Sequence, residues 1–561
     1  MDEGFRYDVV TDEFEPAIRD ADTVAEAFSA AAALWPDDQF ATDATTGETV
    51  TFDELATRAE SLAGALDSVG VAEGDRVGLY LHNGIEYVVA IAACARIGAV
   101  QTPINWHYKP REAAHAFDTA DVSTVLVERD DGFFDVLDET LAESPVSDVV
   151  VLDEQGVTRR EDDDGNGDPP EFRAFDGADT HRRSDLSGDA PTVDRDSDDP
   201  VAILYTSGTT GLPKPAVLSN EAFLLAAVSL RAAPLPDDDV NYNPFPLFHA
   251  NAQCYSLLGS ALSGTEYVLA DRFSASAFFE HVRRYGVTSF NILGGVPKML
   301  LAAYEDEPIP DTDLELAVGP ISTEAWEPFA DRLGVDVVQA YSQTEHPMVV
   351  LNHPNRERVR HGAIGKPMFP DLGHEARVLD DDGEPVPTGE TGELVRSAVG
   401  AMDGYRELPE KTAETLRDGW LYSGDVVRRD EDGYLYYVDR KKFMIRRSGQ
   451  NISAREVEDV IDELPGVAAS AVIPVPDGVR GETVKALVKR ADGADVTERD
   501  VVTQVASTLA AYKVPRYVEF VESFPRTPSE RIQRVDLAEE HEDREHAWDR
   551  EEAFPEWREG A

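Results

Sequence analysis

The hydrophobic pattern announces a helix early. Thr51-Phe-Asp-Glu54 has the spacing of a capping box, and Leu55, Ala59, Leu62, Ala63 and Leu66 follow at the three- and four-residue intervals of one helical face, up to Gly70. Residues 77–81 read as a strand, 85–96 as a helix, 99–104 as a second strand, about 109–120 as a helix and 124–127 as a strand. Strands that alternate with helices pair in parallel and carry the helices on their faces. Residues 154–200 are rich in Asp, Gly, Pro and Arg with little apolar period, so they read as an acidic surface loop or insertion. Alternation resumes at 201 and continues to about 370. Shorter strands with turns at Asp382-Gly383, Thr391-Gly392 and Asp432-Gly433 follow. Arg440-Lys441-Lys442 and Arg446-Arg447 then lead into a small α+β unit. It has a helix after Ser453, strands at 467–475 and 483–488, and a helix over about 497–510. Residues 1–20 read as a polar surface segment and 537–561 as a charged tail. The expected fold class is α/β: a large N-terminal domain of layered sheets with flanking helices over 1–439, and a small α+β C-terminal domain over 440–561.

Charge narrows the partners. Lys and Arg number 51 and Asp and Glu 109 among 561 residues, a net charge of -58. That argues against nucleic acid and anionic membrane surfaces. The acid is spread along the whole chain and the hydrophobic content is an ordinary 42%, the pattern of a solvated acidic surface suited to high salt. At molar salt the Debye length is about 3 Å, which screens self-repulsion. Only Cys94 and Cys254 are present, which suits a reducing compartment without a disulfide framework. The N-terminus lacks the basic and apolar regions of a signal peptide, and the longest apolar run, 87–95, is too short to span a bilayer. The expectation is a cytoplasmic protein.

Residues 203–217 carry the strongest chemistry. An apolar strand, 201–205, runs into Thr206-Ser-Gly-Thr-Thr-Gly211, with Lys214 three residues on. Gly208 and Gly211 let the backbone approach an anion. The hydroxyls of Thr206, Ser207, Thr209 and Thr210 and the loop amides can donate to phosphate oxygens, and Lys214 adds a point charge. The plainer alternative is a Gly/Thr-rich turn between a strand and a helix. No Gly-Lys-Ser/Thr triplet follows, so this is not a Walker loop.

The stretch resembles the nucleotide loop of the adenylate-forming (AMP-binding) enzymes, which include acyl-CoA and aryl-CoA synthetases, peptide-synthetase adenylation domains and luciferases. Their pattern, Tyr-Thr-Ser-Gly-Thr-Thr-Gly-x-Pro-Lys-Gly, is matched through Lys214. Pro215 stands where the family has Gly. Four further segments fall in the family's order. Tyr341-Ser-Gln-Thr-Glu345 resembles Tyr-Gly-x-Thr-Glu, which implies adenine stacking on Tyr341, an oxygen contact from Thr344 and Mg²⁺ on Glu345. Trp420-Leu-Tyr-Ser-Gly-Asp425 resembles Trp-x-x-Thr-Gly-Asp, with Asp425 on the ribose hydroxyls. Asp439-Arg440 fits the next ribose-contacting motif, and Lys442 falls at the hinge about which the small, mobile C-terminal domain swings between half-reactions. Ser448-Gly449-Gln-Asn-Ile452 resembles the segment that closes over the CoA arm. Asn243-Pro-Phe-Pro-Leu-Phe-His249 resembles the segment bordering the acyl pocket, and His249 is either a gate there or an ordinary core histidine. Its continuation and Arg272-Phe-Ser-Ala-Ser resemble the crotonobetaine/carnitine-CoA ligase branch. Asn251, Gln253 and Tyr255 hint at a small or polar acid.

Pro525-Arg-Thr-Pro-Ser-Glu-Arg-Ile-Gln-Arg534 resembles Pro-Arg-Thr-x-x-Gly-Lys-Ile, with Arg531 at the adenylation lysine and Glu530 at a Gly. Arginine keeps the charge but fits a point-charge site poorly, and losing one preorganised donor costs about 10²- to 10³-fold. The resemblance implies an acyl-CoA ligase that uses ATP, Mg²⁺ and CoA on a small-molecule carboxylic acid. Two readings compete with it: a stand-alone adenylation enzyme, and a non-catalytic acyl- or nucleotide-binding homologue disabled at Glu530-Arg531.

Overall fold

The computed structural model describes residues 14–152, 172–191, 193–206, 212–233, 235–236, 238–293, 295–305, 308–352, 359–447, 450–477, 480–526, 532–541 and 546–554. Contacts group them into two units. The first holds the described residues up to 206 together with 212–376 and 396–421; the second holds 377–395 and the described residues from 422 onward.

The expected helix forms over Phe52–Ser68. Thr51 Oγ1 accepts the Glu54 N–H at 3.2 Å and the Glu54 carboxylate accepts the Thr51 N–H at 2.9 Å. A cap of this kind contributes about 1 kcal/mol. The apolar stripe from Leu55 to Leu66 is buried. Ile85–Arg96 is buried on nearly every face from Ile85 to Ala95, as a helix covered on all sides must be.

Among the described residues the first unit holds two large sheets. One runs Gly404–Tyr405, Lys214–Ser219, Pro200–Thr206, Val100–Pro103, Arg76–Tyr80, Thr124–Glu128, Asp148–Leu152, Asp179–Arg182. It is parallel from Pro200–Thr206 outward to Asp179–Arg182, and antiparallel at the two strands on the other edge. The other runs Asp336–Val338, Leu316–Val318, Ser289–Asn291, Val240–Asn243, Glu266–Leu269, Gln39–Asp43, Thr49–Thr51, and is parallel except for its last strand. A three-stranded antiparallel sheet, Ala340–Gln343, His346–Leu351 and Lys366–Pro367, follows.

The second unit contains the antiparallel pair in which Asp425 lies opposite Arg440. It also contains a sheet in which the long hairpin Val467–Asp477 and Gly481–Arg490 packs against Ala454–Asp462, whose Ser453 caps it by accepting the Glu456 N–H. Together the units make the mixed α/β chain expected, with a large N-terminal and a small C-terminal part.

Two expectations need correction. Residues 172–200 are not all loop: Asp179–Arg182 adds a parallel strand to the sheet edge, where His181 Nε2 meets Asp148 Oδ1 at 2.9 Å. The buried Arg183 donates to Ser61 Oγ at 2.7 Å. Gly188 lies so close to Gly64 that a Cβ on Gly64 would sit 2.0 Å from the Gly188 carbonyl oxygen. An edge strand of polar residues leaves no apolar period to read. The charged tail, likewise, is folded at 548–553. Trp548–Asp549 pairs with Tyr517–Phe520, Arg550–Ala553 is helical, and Arg516 holds Asp549 Oδ2 at 3.1 Å.

Candidate active site

In the first unit the strands Pro200–Thr206 and Lys214–Ser219 are antiparallel partners, with Thr206 opposite Lys214. The loop therefore joins a strand to a strand, where a strand-to-helix turn was the plainer expectation. The buried Thr206 hydroxyl has no hydrogen-bond partner among the described residues. Such a group costs about 1–3 kcal/mol, so its place beside the loop suits a phosphate oxygen. Pro215 disturbs nothing here. It lies within the strand, and its carbonyl accepts the Arg406 N–H at 2.9 Å.

The Tyr341-to-Glu345 motif forms a hairpin. Tyr341 lies on Ala340–Gln343, and Thr344 and Glu345 make the tight turn between Gln343 and His346, which are paired. The turn brings Glu345 to Lys214: Oε1 lies 3.6 Å from Nζ. Between them stands Tyr405. Its hydroxyl accepts from Lys214 Nζ at 2.5 Å and donates to Glu345 Oε1 at 2.6 Å, and Nζ also lies 3.9 Å from its ring centre.

In the second unit Asp425 is almost wholly buried and pairs with Arg440, whose Nε is 2.7 Å from Oδ1. Asp439 accepts from Ser453 Oγ and the Arg455 N–H, both at 3.0 Å, which anchors Arg440's own backbone to the following helix. Asp425 had the plainer reading of an Asp in a glycine turn; it sits instead within the strand Trp420–Arg429.

Residues 28–406 match the AMP-binding enzyme family, and 456–531 match the AMP-binding enzyme C-terminal domain. The chain belongs to the AMP-binding enzyme family. A crotonobetaine/carnitine–CoA ligase of Salmonella typhimurium is 30% identical over 483 residues, which cover 84% of this chain and 89% of that one. The ATP-bound MatB structure from Rhodopseudomonas palustris superposes with a TM-score of 0.77 at 26% identity, covering 92% of this chain and 99% of that one. The anthranilate CoA ligase AuaEII bound to anthranoyl-AMP has the same fold, with a TM-score of 0.79 at 24% identity over 92% of this chain and 97% of that one. The protein is an adenylate-forming acyl-CoA ligase, an acid–thiol ligase of the AMP-binding family. The readings as a non-catalytic homologue or stand-alone adenylation enzyme are not favoured.

Within this AMP-binding enzyme, Ser207, Gly208, Thr209, Thr210, Gly211, Ser448, Gly449 and Arg531 lie outside the described residues. Lys442 lies in the short turn Lys441–Phe443. His249 is half-buried, its ring 4.5 Å from that of Phe248, which meets Trp106 at 4.7 Å. Trp106, Tyr80, His82 and Phe133 line a cavity of about 360 Å³. Directly after His249, Asn251–Leu258 is a π-helix, a form often found at functional sites. Its Gln253 accepts from Gln101 Nε2 at 2.8 Å, and Asn291 Nδ2 donates to Asn251 Oδ1 at 3.0 Å and Ser256 Oγ at 2.9 Å.

Sequence reasoning missed two groups. Tyr405 is one; nothing local to Gly404-Tyr405 marks it. The other lies behind Tyr341. Arg396 is fully buried, its guanidinium 5.9 Å from the Tyr341 ring, and it donates to the carbonyls of His346 (3.3 Å) and Met348. Burial pushes its pKa down to about 10. Burial, then the charge of Arg396, holds His374 down at about 2 and His346 well below its usual value. Both imidazoles are therefore neutral supports of the hairpin. Among the described residues no group of three or more His, Cys, Asp or Glu could hold a metal by itself, and no helix is long and apolar enough to cross a membrane.

Proposed function

We propose that this ligase activates a small polar carboxylic acid with ATP and passes the acyl group to CoA, with Lys214, Thr206 and the 207–211 loop on the phosphates. The acid's carboxylate oxygen attacks the α-phosphorus, the bond to pyrophosphate breaks, and an acyl-adenylate forms. The CoA thiolate then attacks the acyl carbon and AMP leaves. The observation that carries this reading is the approach of Glu345 to within 3.6 Å of Lys214, from motifs remote in sequence. A cation that must meet phosphate and a carboxylate that must meet Mg²⁺ belong side by side, because Mg²⁺ bridges phosphates to one or two protein carboxylates and water. A lone hard-oxygen ligand fits that partial coordination, so Glu345 would hold the ion, which supplies positive charge to the phosphates. Charge developing on the transferring group is where preorganised cations act most strongly.

Tyr341 is assigned the adenine face, Thr344 an oxygen contact, and Asp425 with Arg440 the ribose. Arg531 takes the role of the family lysine, Ser448 and Gly449 close over the CoA arm, and Lys442 is the hinge beyond a domain junction at 439/440. The half-exposure of His249, at the end of an aromatic run that reaches the cavity, supports a gate over a core histidine. The amide-rich π-helix after it, and relatives named for crotonobetaine and carnitine, support a polar or betaine-type acid. The net charge of -58 and two buried free cysteines support a cytoplasmic, high-salt setting.

The test is pyrophosphate release with ATP, Mg²⁺ and a panel of acids that includes crotonobetaine and carnitine, at molar KCl, with and without CoA. Release with a polar acid, raised by CoA, is expected. ATP binding without release on any acid would overturn the proposal.

A further inference from the structure

Tyr405 joins the two charged groups of the proposed phosphate site and belongs to neither of their motifs. Lys214 Nζ and Glu345 Oε1 stand 3.6 Å apart, too far for a direct hydrogen bond. The Tyr405 hydroxyl fills that gap, accepting from one at 2.5 Å and donating to the other at 2.6 Å.

The backbone around Tyr405 is tied to both partners. Gly404 and Tyr405 pair with Val217 and Ala216 on the lysine's strand, and the Asp403 and Arg406 N–H groups donate to the Val217 and Pro215 carbonyls, each at 2.9 Å. The Met402 N–H donates to the Glu345 carbonyl, also at 2.9 Å. The Tyr405 N–H donates to Thr412 Oγ1 at 2.9 Å. Gly404 has φ 155°, and a Cβ there would lie 2.8 Å from Thr412 Cγ2, so the position beside Tyr405 accepts only glycine without a shift. A residue fastened this way does not wander, and its ring is buried.

We propose that Tyr405 is a positioning residue for the adenylation step: its hydroxyl bridges the phosphate cation and the metal carboxylate and holds them adjacent but out of direct hydrogen-bond contact. This rests on the roles given above to Lys214 and Glu345. Without the hydroxyl, this loose ion pair closes to a directly hydrogen-bonded one. The lysine is drawn off the phosphates and the carboxylate off the metal, and ATP with Mg²⁺ must break that pair to bind.

The experiment is titration calorimetry of the full-length chain with ATP, with and without Mg²⁺, needing no knowledge of the acid. It compares wild type, Tyr405→Phe, Glu345→Gln and Lys214→Ala. Phenylalanine keeps the ring that fills the space, so folding is preserved, and thermal melting checks it. Tyr405→Phe is expected to weaken ATP binding in Mg²⁺ about tenfold or more, the loss of hydrogen bonds to charged groups. It is also expected to lower the ratio of Mg²⁺-free to Mg²⁺-bound dissociation constants about fivefold. A variant whose two dissociation constants rise in parallel, or do not move, overturns the proposal for Tyr405 provided that Glu345→Gln loses the Mg²⁺ dependence. If Glu345→Gln keeps it, the assignment of Glu345 itself fails, and Tyr405 with it.

Discussion

Acid should loosen the first unit through two histidines. His374 Nδ1 faces the Met368 N–H at 3.2 Å and its Nε2 faces the Arg396 Nη2 donor at 3.3 Å, so both ring nitrogens meet donors. A second proton would turn each ring nitrogen's N–H against a donor, in a buried place beside a cation. His346 donates from Nε2 to the Ser397 carbonyl at 2.9 Å and is buried next to the same arginine. Both are therefore neutral in the fold at every moderate pH, while in the unfolded chain they titrate near about 6.5. A folded value depressed below the unfolded one means that the unfolded chain binds protons first. The stability these groups contribute is present above about pH 6.5 and is lost as the pH falls below it. Between about pH 7.5 and about pH 5.5 the loss is about 1.4 kcal/mol for each histidine, or about 2.7 kcal/mol together. His374→Asn keeps an acceptor near Nδ1 and cannot titrate. Urea unfolding of wild type and variant at molar KCl, from about pH 7.5 down to about pH 5.5, isolates the effect, because all other titrations cancel in the difference. The variant's disadvantage at the higher pH should shrink by about 1.4 kcal/mol at the lower. A difference that stays flat across the range would mean that His374 titrates alike in both states and would refute the reasoning.

Four further outcomes are expected. Glu345→Gln should slow pyrophosphate release about 10²- to 10³-fold, and a normal rate with normal Mg²⁺ dependence would remove its metal role. Asp425→Asn should weaken AMP binding about tenfold to a hundredfold by calorimetry, the worth of hydrogen bonds to a buried charged group, and unchanged affinity would detach it from the ribose. Lys442→Pro should spare acyl-adenylate formation yet block thioester formation, followed in separate single-turnover assays; equal loss of both steps would count against a hinge. Dialysis from molar KCl into dilute buffer should lower far- and near-UV circular dichroism as repulsion among the -58 net charge is unscreened, and full retention of structure would exclude salt adaptation.

Local pattern determined much of this protein. The capping box at Thr51 to Glu54, the helix Ile85–Arg96 and the strands on either side of it were legible because burial of one face leaves a period in the chain. Lys214, Glu345, Asp425 and Arg440 were named from short motifs, and the fold sets Lys214 beside Glu345 and Asp425 beside Arg440. What fell outside local pattern has no such motif. The strand Asp179–Arg182 is polar on both faces at a sheet edge, and the strand at 548–549 is two residues long; each exists because a neighbouring strand offers it hydrogen bonds. Tertiary structure alone decided that Tyr405 comes between Lys214 and Glu345, since strand order in a sheet, not spacing along the chain, makes Gly404–Tyr405 the neighbour of Lys214–Ser219. It also decided that Arg396 lies buried behind Tyr341 with two neutral histidines. A sequence records which residues avoid water; which of them then touch is set when the sheets assemble.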